Sequence, residues 1–343
     1  MPKVSVCIPT YNCGKYIGQA IKSVLNQDFE NYELIISDNA STDDTENIVR
    51  NFHNQGLTYM KNERNIGYVG NLNRCLELAK GEFIVYLCAD DIWYQGFLKN
   101  AIDLLEKDYS LVLVHTAYYE INENGSILRD SIRDDKINWE PFLKGEDFFK
   151  NFLIIGGGIM PSNCVARTKF LKKVGGFDDK LAYAADTAMW LKLSFQGNVG
   201  FIGDHLMGFR KHPNSLSNEL EFENKYIDET IRLIDRVFDW EVTKEKKFLH
   251  LKSLILKNRA IKIIKEGPSR RLKGHSRFRI IKDITRIAYR YPLVLISPKN
   301  WFWIASGFVL PKFVLNYAKR IKRKLLKNSD GMDLGSIGSC SQN

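Results

Sequence analysis

The architecture of this chain follows from residues 33–45, which read Glu33-Leu34-Ile35-Ile36-Ser37-Asp38-Asn39-Ala40-Ser41-Thr42-Asp43-Asp44-Thr45. The apolar beginning predicts a strand, and the polar residues after it predict a turn and the start of a helix. Open α/β sheets bind their ligands at the carboxyl ends of strands. A candidate binding site therefore lies directly after this strand.

A second predicted strand, residues 82–87, ends in the same way. It leads into Cys88-Ala89-Asp90-Asp91, a second group of acidic side chains at a strand end. Carboxylates at such a position are suited to a divalent cation that also contacts phosphate oxygens. Together the two strand ends indicate one site for a metal and a phosphorylated, sugar-bearing ligand.

Strands and helices alternate through the first third of the chain. Strands are predicted at 4–8, 33–37, 57–60, 82–88 and 111–116, and helices at 44–52, 68–80 and 95–107. This alternation predicts an α/β fold with a mainly parallel sheet flanked by helices. Residues 129–147 are polar and predict a loop, 186–195 predict a helix, and the chain is predicted to be helical from about residue 219.

Charge is distributed unevenly along the 343 residues, whose formal net charge is +10. Residues 241–327 hold nearly half of all Lys and Arg residues but only four acidic ones, so a mildly acidic body precedes a strongly basic region. Six cysteines at irregular spacing, with no CxxC pair, predict reduced thiols in a cytosolic compartment. No secretory signal is found, and the apolar run 301–310 is too short to span a bilayer.

The basic region ends in a predicted amphipathic helix, residues 312–327, and then a Gly/Ser-rich tail, 328–343, that is predicted to be disordered. One face of the helix is apolar and the other is basic, a pattern typical of binding to an anionic membrane surface. The alternative is a helical appendage that packs on the rest of the chain with a solvated basic face. No motif for nucleic-acid recognition accompanies the charge, so no nucleic acid is expected as a partner.

An ordered set of motifs gives the chain a family resemblance. The set consists of Pro9-Thr10-Tyr11-Asn12, Ser37 to Asp43, Arg64-Asn65-Ile66-Gly67, Ala89-Asp90-Asp91 and Ala185-Asp186. In this order the motifs resemble those of the family 2 inverting glycosyltransferases, which have the GT-A fold. The resemblance implies a GT-A catalytic domain over 1–217. The helical pattern, charge and composition predict a helical basic, membrane-associating region over 218–327 and a disordered tail over 328–343.

The resemblance also implies the ligands and the roles of the site residues. The donor is expected to be a nucleotide-diphosphate sugar, a UDP-sugar first of all, bound with Mn²⁺ or Mg²⁺. Asp186 matches the catalytic base, and Asp91 is the first choice as metal ligand. The expected nucleotide contacts are Thr10, Tyr11, Asp38, Arg64 and Asp90, and the expected diphosphate contacts are Arg210 and His212.

The chain departs from the family pattern at three places. Ser37 and Ala185 stand where the family often has an acidic residue, and Cys88 replaces the first acidic residue of the usual Asp-X-Asp. The replacement at Cys88 leaves Asp90 and Asp91 as the acidic ligands of the metal.

Each acidic residue also has a structural alternative. Asp38 can close an Asx-turn on the backbone that follows it. Asp90 and Asp186 each precede a predicted helix, so each can act as an N-cap. Tyr11 can pack on the sheet instead of stacking on a base.

The resemblance and the basic region together predict the cellular role. We expect a cytoplasmic enzyme, peripheral on the inner face of the cell membrane, that extends a lipid-linked saccharide in surface polysaccharide biosynthesis. The alternatives are a glycosyltransferase with a soluble or protein acceptor, a nucleotidyltransferase, and a non-catalytic module that binds membrane or nucleic acid.

Overall fold

The structure is a computed structural model that describes residues 1–130, 142–155, 158–182, 184–213, 215 and 225–245, with scattered residues from 248 to 285. Two compact units divide the chain, Met1–Glu245 and Lys246–Asn343. The predicted helix 312–327 and tail 328–343 lie outside the described residues. The domain boundaries predicted at residues 217 and 327 stay predictions.

A single sheet of ten strands organises the described part of the first unit. In chain order the strands are β1 Val4–Thr10, β2 Tyr32–Asp38, β3 Thr58–Lys61, β4 Phe83–Tyr86, β5 Ile92–Trp93, β6 Leu111–Ile121, β7 Ile127–Asp130, β8 Phe142–Leu143, β9 Cys164–Arg167 and β10 Asn198–Arg210.

Eight α-helices accompany these strands among the described residues. They are α1 Gly14–Leu25, α2 Thr45–Arg50, α3 Gly67–Leu78, α4 Phe97–Lys107, α5 Gly145–Ile155, α6 Thr168–Lys173, α7 Ala185–Leu193 and α8 Lys225–Asp239. None of the described helices combines the length and the apolar content that a bilayer crossing requires.

The strand order is β3-β2-β1-β4-β9-β6-β10-β5, with β7 beside β6 and β8 beside β10. Strands β3, β2, β1 and β4 are parallel to one another, and β10 is parallel to β6. Strand β9 lies antiparallel between β4 and β6. The sheet is therefore mostly parallel, as predicted, and the carboxyl ends of β1, β2 and β4 meet at one edge.

The core explains why the first strands are so apolar. Every residue of β1 is buried, as expected for a central parallel strand covered by helices on both faces. Helix α1 contributes an apolar stripe with helical spacing to one of these faces, formed by Tyr16, Ile17, Ala20, Ile21 and Val24.

One sequence prediction was wrong, because part of the polar segment 129–147 is regular structure. It contains β8 and the first turn of α5, whose side chains Phe148 and Phe149 are buried. At Gly145, where α5 begins, a Cβ atom would overlap the carbonyl oxygens of Ser194 and Gly197. A close backbone approach therefore requires glycine here, and the sequence pattern alone did not reveal it.

Candidate active site

Two loops at the sheet edge are tied together by side-chain hydrogen bonds. The Asn12 amide donates to Ser41 Oγ at 2.9 Å, and the Thr42 amide donates to Asn12 Oδ1 at 2.8 Å. Below them, the Gly14 amide donates to Asp43 Oδ2 at 2.9 Å. The loops after β1 and β2 thus form one polar floor, and Asp43 has a structural role in it.

Asp38 closes β2 and is fully buried in this floor. Its Oδ1 accepts the Ser41 amide at 2.8 Å, and its Oδ2 accepts the Tyr59 hydroxyl at 2.5 Å. Burial, and secondly the bond to Asp38, raises the pKa of Tyr59. The Asx-turn alternative therefore describes one oxygen of Asp38, while Tyr59 fixes the direction of the other.

Three of the other predicted nucleotide contacts lie at or after the carboxyl ends of β1 and β3. Thr10 is the partner of Asp38 in the parallel register of β1 and β2 and is buried. Tyr11, next along the loop, is 46% exposed, so its ring is accessible to a ligand. Arg64 is exposed on the loop between β3 and α3.

Asn39 fastens the Arg64 loop to the end of β2. Its Oδ1 accepts the Ile66 amide at 2.9 Å, and its Nδ2 donates to Asn65 Oδ1 at 2.8 Å and to the Gly67 carbonyl at 3.1 Å. The loop that carries Arg64 is thereby held beside Asp38.

Asp91 follows β4 and is buried, with both carboxylate oxygens bonded. Its Oδ2 accepts the Ser162 hydroxyl at 2.6 Å, and its Oδ1 accepts the Arg210 amide at 3.0 Å. Burial, and secondly the charge of Asp90, raises the pKa of Asp91 well above its usual range. The carboxylate is anchored from two sides and stands at the base of the cleft.

Asp90 is more accessible than Asp91 and contacts a predicted diphosphate residue. Its Oδ2 lies 3.0 Å from His212 Nε2, and the His212 ring packs on Tyr16 with centroids 4.8 Å apart. The sequence analysis predicted His212 as a diphosphate contact, and in the structure its imidazole lies next to the Asp90 carboxylate.

One ligand atom each from Cys88, Asp90 and Asp91 lies within 4.8 Å of the other two. Two carboxylate oxygens and a sulfur at this spacing, with an imidazole beside them, are a donor set that a divalent cation accepts. The residues present therefore fit the metal that the resemblance implies.

Arg210 has a different environment from the predicted diphosphate clamp. Its guanidinium is fully buried and donates to protein oxygens, among them the Asp90 carbonyl at 2.6 Å, the Glu123 carbonyl at 2.8 Å and Gln19 Oε1 at 2.9 Å. A guanidinium engaged in this way positions the Asp90 loop. A direct phosphate contact requires that these bonds break.

Asp186 lies in the first turn of α7, where Oδ1 accepts the Thr187 amide at 2.6 Å. Its surroundings desolvate the carboxylate and raise the pKa of Asp186 to about 6. A carboxyl group with this pKa is still ionised at neutral pH and accepts a proton more readily than an ordinary aspartate.

The Tyr68 phenol is within electrostatic range of both Asp186 and the metal-binding group. Burial raises the pKa of Tyr68 well above its usual range, and the charges of Cys88, Asp186 and Asp90 act in the same direction. Its hydroxyl lies 4.0 Å from Cys88 Sγ. The charges of Asp186 and of the metal-binding group therefore act on the same phenol, although about a hundred residues separate them in the chain.

The sequence did not point to Tyr68, Ser162 or Tyr59. Ser162 meets Asp91 across 71 residues and Tyr59 meets Asp38 across 21. No local motif marks such tertiary contacts. Of the three, Tyr68 is the one that the sequence could have suggested, because it directly follows the motif Arg64 to Gly67.

The chain is similar in sequence to known glycosyltransferases. The family model described as "Glycosyl transferase family 2" matches residues 5–175. An uncharacterised glycosyltransferase of Methanocaldococcus jannaschii is 30% identical over 195 residues, which cover 56% of this chain and 64% of that protein. The UDP-Glc:alpha-D-GlcNAc-diphosphoundecaprenol beta-1,3-glucosyltransferase WfgD of Escherichia coli is 34% identical over 141 residues, 41% of this chain and 55% of its own length. The chain thus spans less than two thirds of either relative.

Two solved structures share the fold. TarS 1–349 of S. aureus, in complex with UDP-GlcNAc, has a TM-score of 0.55 at 19% identity and is aligned over 84% of this chain and 91% of its own. The mannosyltransferase PcManGT of Pyrobaculum calidifontis, in complex with GDP-Man and Mn²⁺, has a TM-score of 0.52 at 18% identity over 94% and 88% of the two chains. These likenesses confirm the predicted GT-A architecture.

Proposed function

This chain belongs to glycosyl transferase family 2, and on that premise we propose that it moves a sugar, with inversion, from a UDP-sugar to a hydroxyl of a lipid-linked saccharide. One observation carries the proposal. The charges of Asp186, Cys88 and Asp90 all act on the Tyr68 phenol, and Cys88, Asp90 and Asp91 form one group, although Asp186 comes from a distant part of the chain.

The polar floor after β1 and β2 is proposed to hold the nucleoside. The exposed ring of Tyr11 is placed to stack on the base, and Asp38 is a fixed acceptor beside Thr10. Arg64 extends from the loop that Asn39 fastens and adds a positive charge near the nucleotide.

The group at the end of β4 is proposed to hold the diphosphate through Mn²⁺ or Mg²⁺. Asp91 and Asp90 are the acidic ligands, with His212 beside them. A divalent cation bound there neutralises the charge of the departing diphosphate. Arg210 supports this arrangement from behind, through the Asp90 carbonyl and the Asp91 carboxylate.

Asp186 is proposed as the general base. The acceptor oxygen attacks the anomeric carbon, the bond from that carbon to the diphosphate oxygen breaks, and the hydroxyl proton passes to Asp186. Thr187 occupies Oδ1, which leaves Oδ2 as the proton acceptor. The nucleoside diphosphate departs from the opposite face of the sugar, so the configuration inverts.

Two considerations support a lipid-linked acceptor. The name of the E. coli relative describes an undecaprenol-linked substrate. The basic region 241–327 carries charge suited to the anionic inner face of a cell membrane, where a polysaccharide precursor would be extended. We therefore propose a cytoplasmic, peripheral location and a role in surface polysaccharide biosynthesis.

The alternatives differ in what they release and what they need. A nucleotidyltransferase releases pyrophosphate, whereas a glycosyltransferase releases a nucleoside diphosphate. An enzyme with a soluble or protein acceptor needs no membrane, and a non-catalytic module consumes no donor.

A donor screen followed by a transfer assay tests the proposal. UDP-, GDP- and dTDP-sugars are compared for thermal stabilisation of the full chain with Mn²⁺, and the best donor is offered with undecaprenol-linked or water-soluble saccharides. We expect stabilisation by a UDP-sugar and transfer to the lipid-linked acceptor. Transfer of the sugar only to water-soluble saccharides would contradict the proposed lipid-linked acceptor. Stabilisation by GDP- or dTDP-sugars alone would contradict the proposed UDP-sugar donor.

A further inference from the structure

Cys88 is the unusual member of the metal-binding group. It occupies the position where the family resemblance leads one to expect the first acidic residue of Asp-X-Asp. The side chain is half-buried, and its Sγ lies within 4.8 Å of carboxylate oxygens of both Asp90 and Asp91. A sulfur atom therefore stands where other members offer an oxygen.

The thiol is held in this place by its neighbours. Ser162 Oγ accepts the Cys88 amide at 3.0 Å and donates to Asp91 Oδ2 at 2.6 Å, so one hydroxyl joins the two residues. The Tyr68 hydroxyl lies 4.0 Å from the sulfur on another side. Cys88 and Asp91 thus have a fixed relation to each other.

The spacing matches shared coordination of one cation. Metal–thiolate bonds are about 2.3 Å and metal–carboxylate bonds about 2.0–2.2 Å long, so two ligand atoms of one ion lie up to about 4.5 Å apart. The observed limit of 4.8 Å lies close to this range. Thiolates favour softer ions such as Zn²⁺, whereas all-oxygen sites favour Mg²⁺ and Mn²⁺.

We propose that Cys88 Sγ is a direct ligand of the divalent cation in this site and shifts its preference from Mg²⁺ towards thiophilic ions such as Co²⁺, Zn²⁺ and Cd²⁺. The inference rests on the proposed function, because it concerns the same cation. The thiol gives up its proton to solvent when the cation binds, as metal-bound thiols do.

Cobalt absorption spectroscopy on the full chain tests this directly. A bond from thiolate to Co²⁺ produces a charge-transfer band in the near ultraviolet, which oxygen and nitrogen ligands do not. The variants are Cys88→Ser and Cys88→Asp, with Cys13→Ser as the matched control. Cys13 is also a half-buried cysteine near Asp90, but its sulfur is outside the three-atom group.

We expect the band in the wild type and in Cys13→Ser, and its loss in both Cys88 variants. Removing the sulfur should weaken Co²⁺ binding on the order of tenfold to a hundredfold, because the loss of even an outer-sphere partner of a metal ligand weakens metal binding by about this factor. Cys88→Asp should in addition bind Mg²⁺ more tightly than the wild type, because it restores an oxygen ligand.

The outcomes separate this inference from the function on which it rests. Bound Co²⁺ without a charge-transfer band, in an enzyme that transfers sugar, would overturn the role of Cys88 and leave the glycosyltransferase proposal intact. A band that persists in Cys88→Ser and vanishes in Cys13→Ser would also overturn it. Failure of the wild type to bind any divalent cation would overturn both.

Discussion

At the scale of the residue, the protonation state of Asp186 determines whether it can act as the proposed general base. Its surroundings favour the neutral acid, and its pKa of about 6 remains below the pH of a cytoplasm. A base has to be ionised to accept a proton, so kcat/KM for transfer should fall about tenfold per pH unit below pH 6 and level off above pH 7. Steady-state rates between pH 5 and pH 8 measure this profile, and a rate that stays constant down to pH 5 would contradict the assignment.

The same carboxylate should destabilise the fold. The folded pKa of about 6 exceeds the ordinary value of 3.8, so the folded state binds more protons between these pH values and loses stability as the pH rises through them. Asp186→Asn removes this cost and should raise the free energy of unfolding at pH 8 by up to about 3 kcal/mol. Urea denaturation at pH 8 and pH 4 checks it: the gain should be large at pH 8 and nearly absent at pH 4. An equal effect at both pH values would show that burial of the charge is not the cause.

At the scale of the element, the loop between β3 and α3 depends on Asn39. Asn39→Ala removes the acceptor of the Ile66 amide and the donor to Asn65 and Gly67, hydrogen bonds that contribute about 0.5–1.5 kcal/mol each. We expect a lower free energy of unfolding and a weaker affinity for the donor, because Arg64 lies on this loop. Calorimetry with the UDP-sugar and urea denaturation measure the two effects.

A matched control for Asn39 is Asn51→Ala, an exposed asparagine at the end of α2. It should leave both quantities within about 0.5 kcal/mol of the wild type. Unchanged donor affinity in a destabilised Asn39→Ala would mean that the loop does not contribute to the nucleotide site.

Elements differ in how far the sequence predicted them, for physical reasons. Strands β1 to β4 and helices α2, α3 and α4 were predicted, because apolar runs mark the strands and helical spacing or helix-start residues mark the helices. The 13-residue length of strand β10 is not apparent from the sequence, because its bulges against β6 interrupt any regular alternation. Strand β9 lies between β4 and β6 and is antiparallel to both. A local sequence pattern encodes neither its position in the sheet nor its direction.

The site shows the same division. Asp38, Asp90, Asp91 and Asp186 could be proposed from the sequence because each follows a strand or begins a helix in a known order. The environment of Arg210 could not be predicted from the sequence. Its partners are backbone carbonyls about 90 and 120 residues away and Gln19 at the other end of the domain. Charge suggested a ligand contact, whereas burial gives Arg210 a positioning role.

At the scale of the whole molecule, the separation of acidic body and basic region predicts reversible membrane binding. The full chain should sediment with vesicles that contain anionic lipid and should be released as salt screens the charges. A chain ending at Glu245, the limit of the first compact unit, should remain in the supernatant. Vesicles of neutral lipid are the control. Binding by the shorter chain, or binding that does not respond to salt, would contradict an electrostatic role for the basic region.

Donor hydrolysis tests the central mechanism without knowledge of the acceptor. The full chain is incubated with Mn²⁺ and the α-linked UDP-sugar that stabilises it, and NMR identifies the first anomer of the sugar released to water. If one carboxylate drives a single displacement in this cleft, the products are UDP and the β-anomer, and Asp186→Asn slows their release by about 10²–10⁴-fold. Initial appearance of the α-anomer, release of pyrophosphate, or full activity in Asp186→Asn would contradict it.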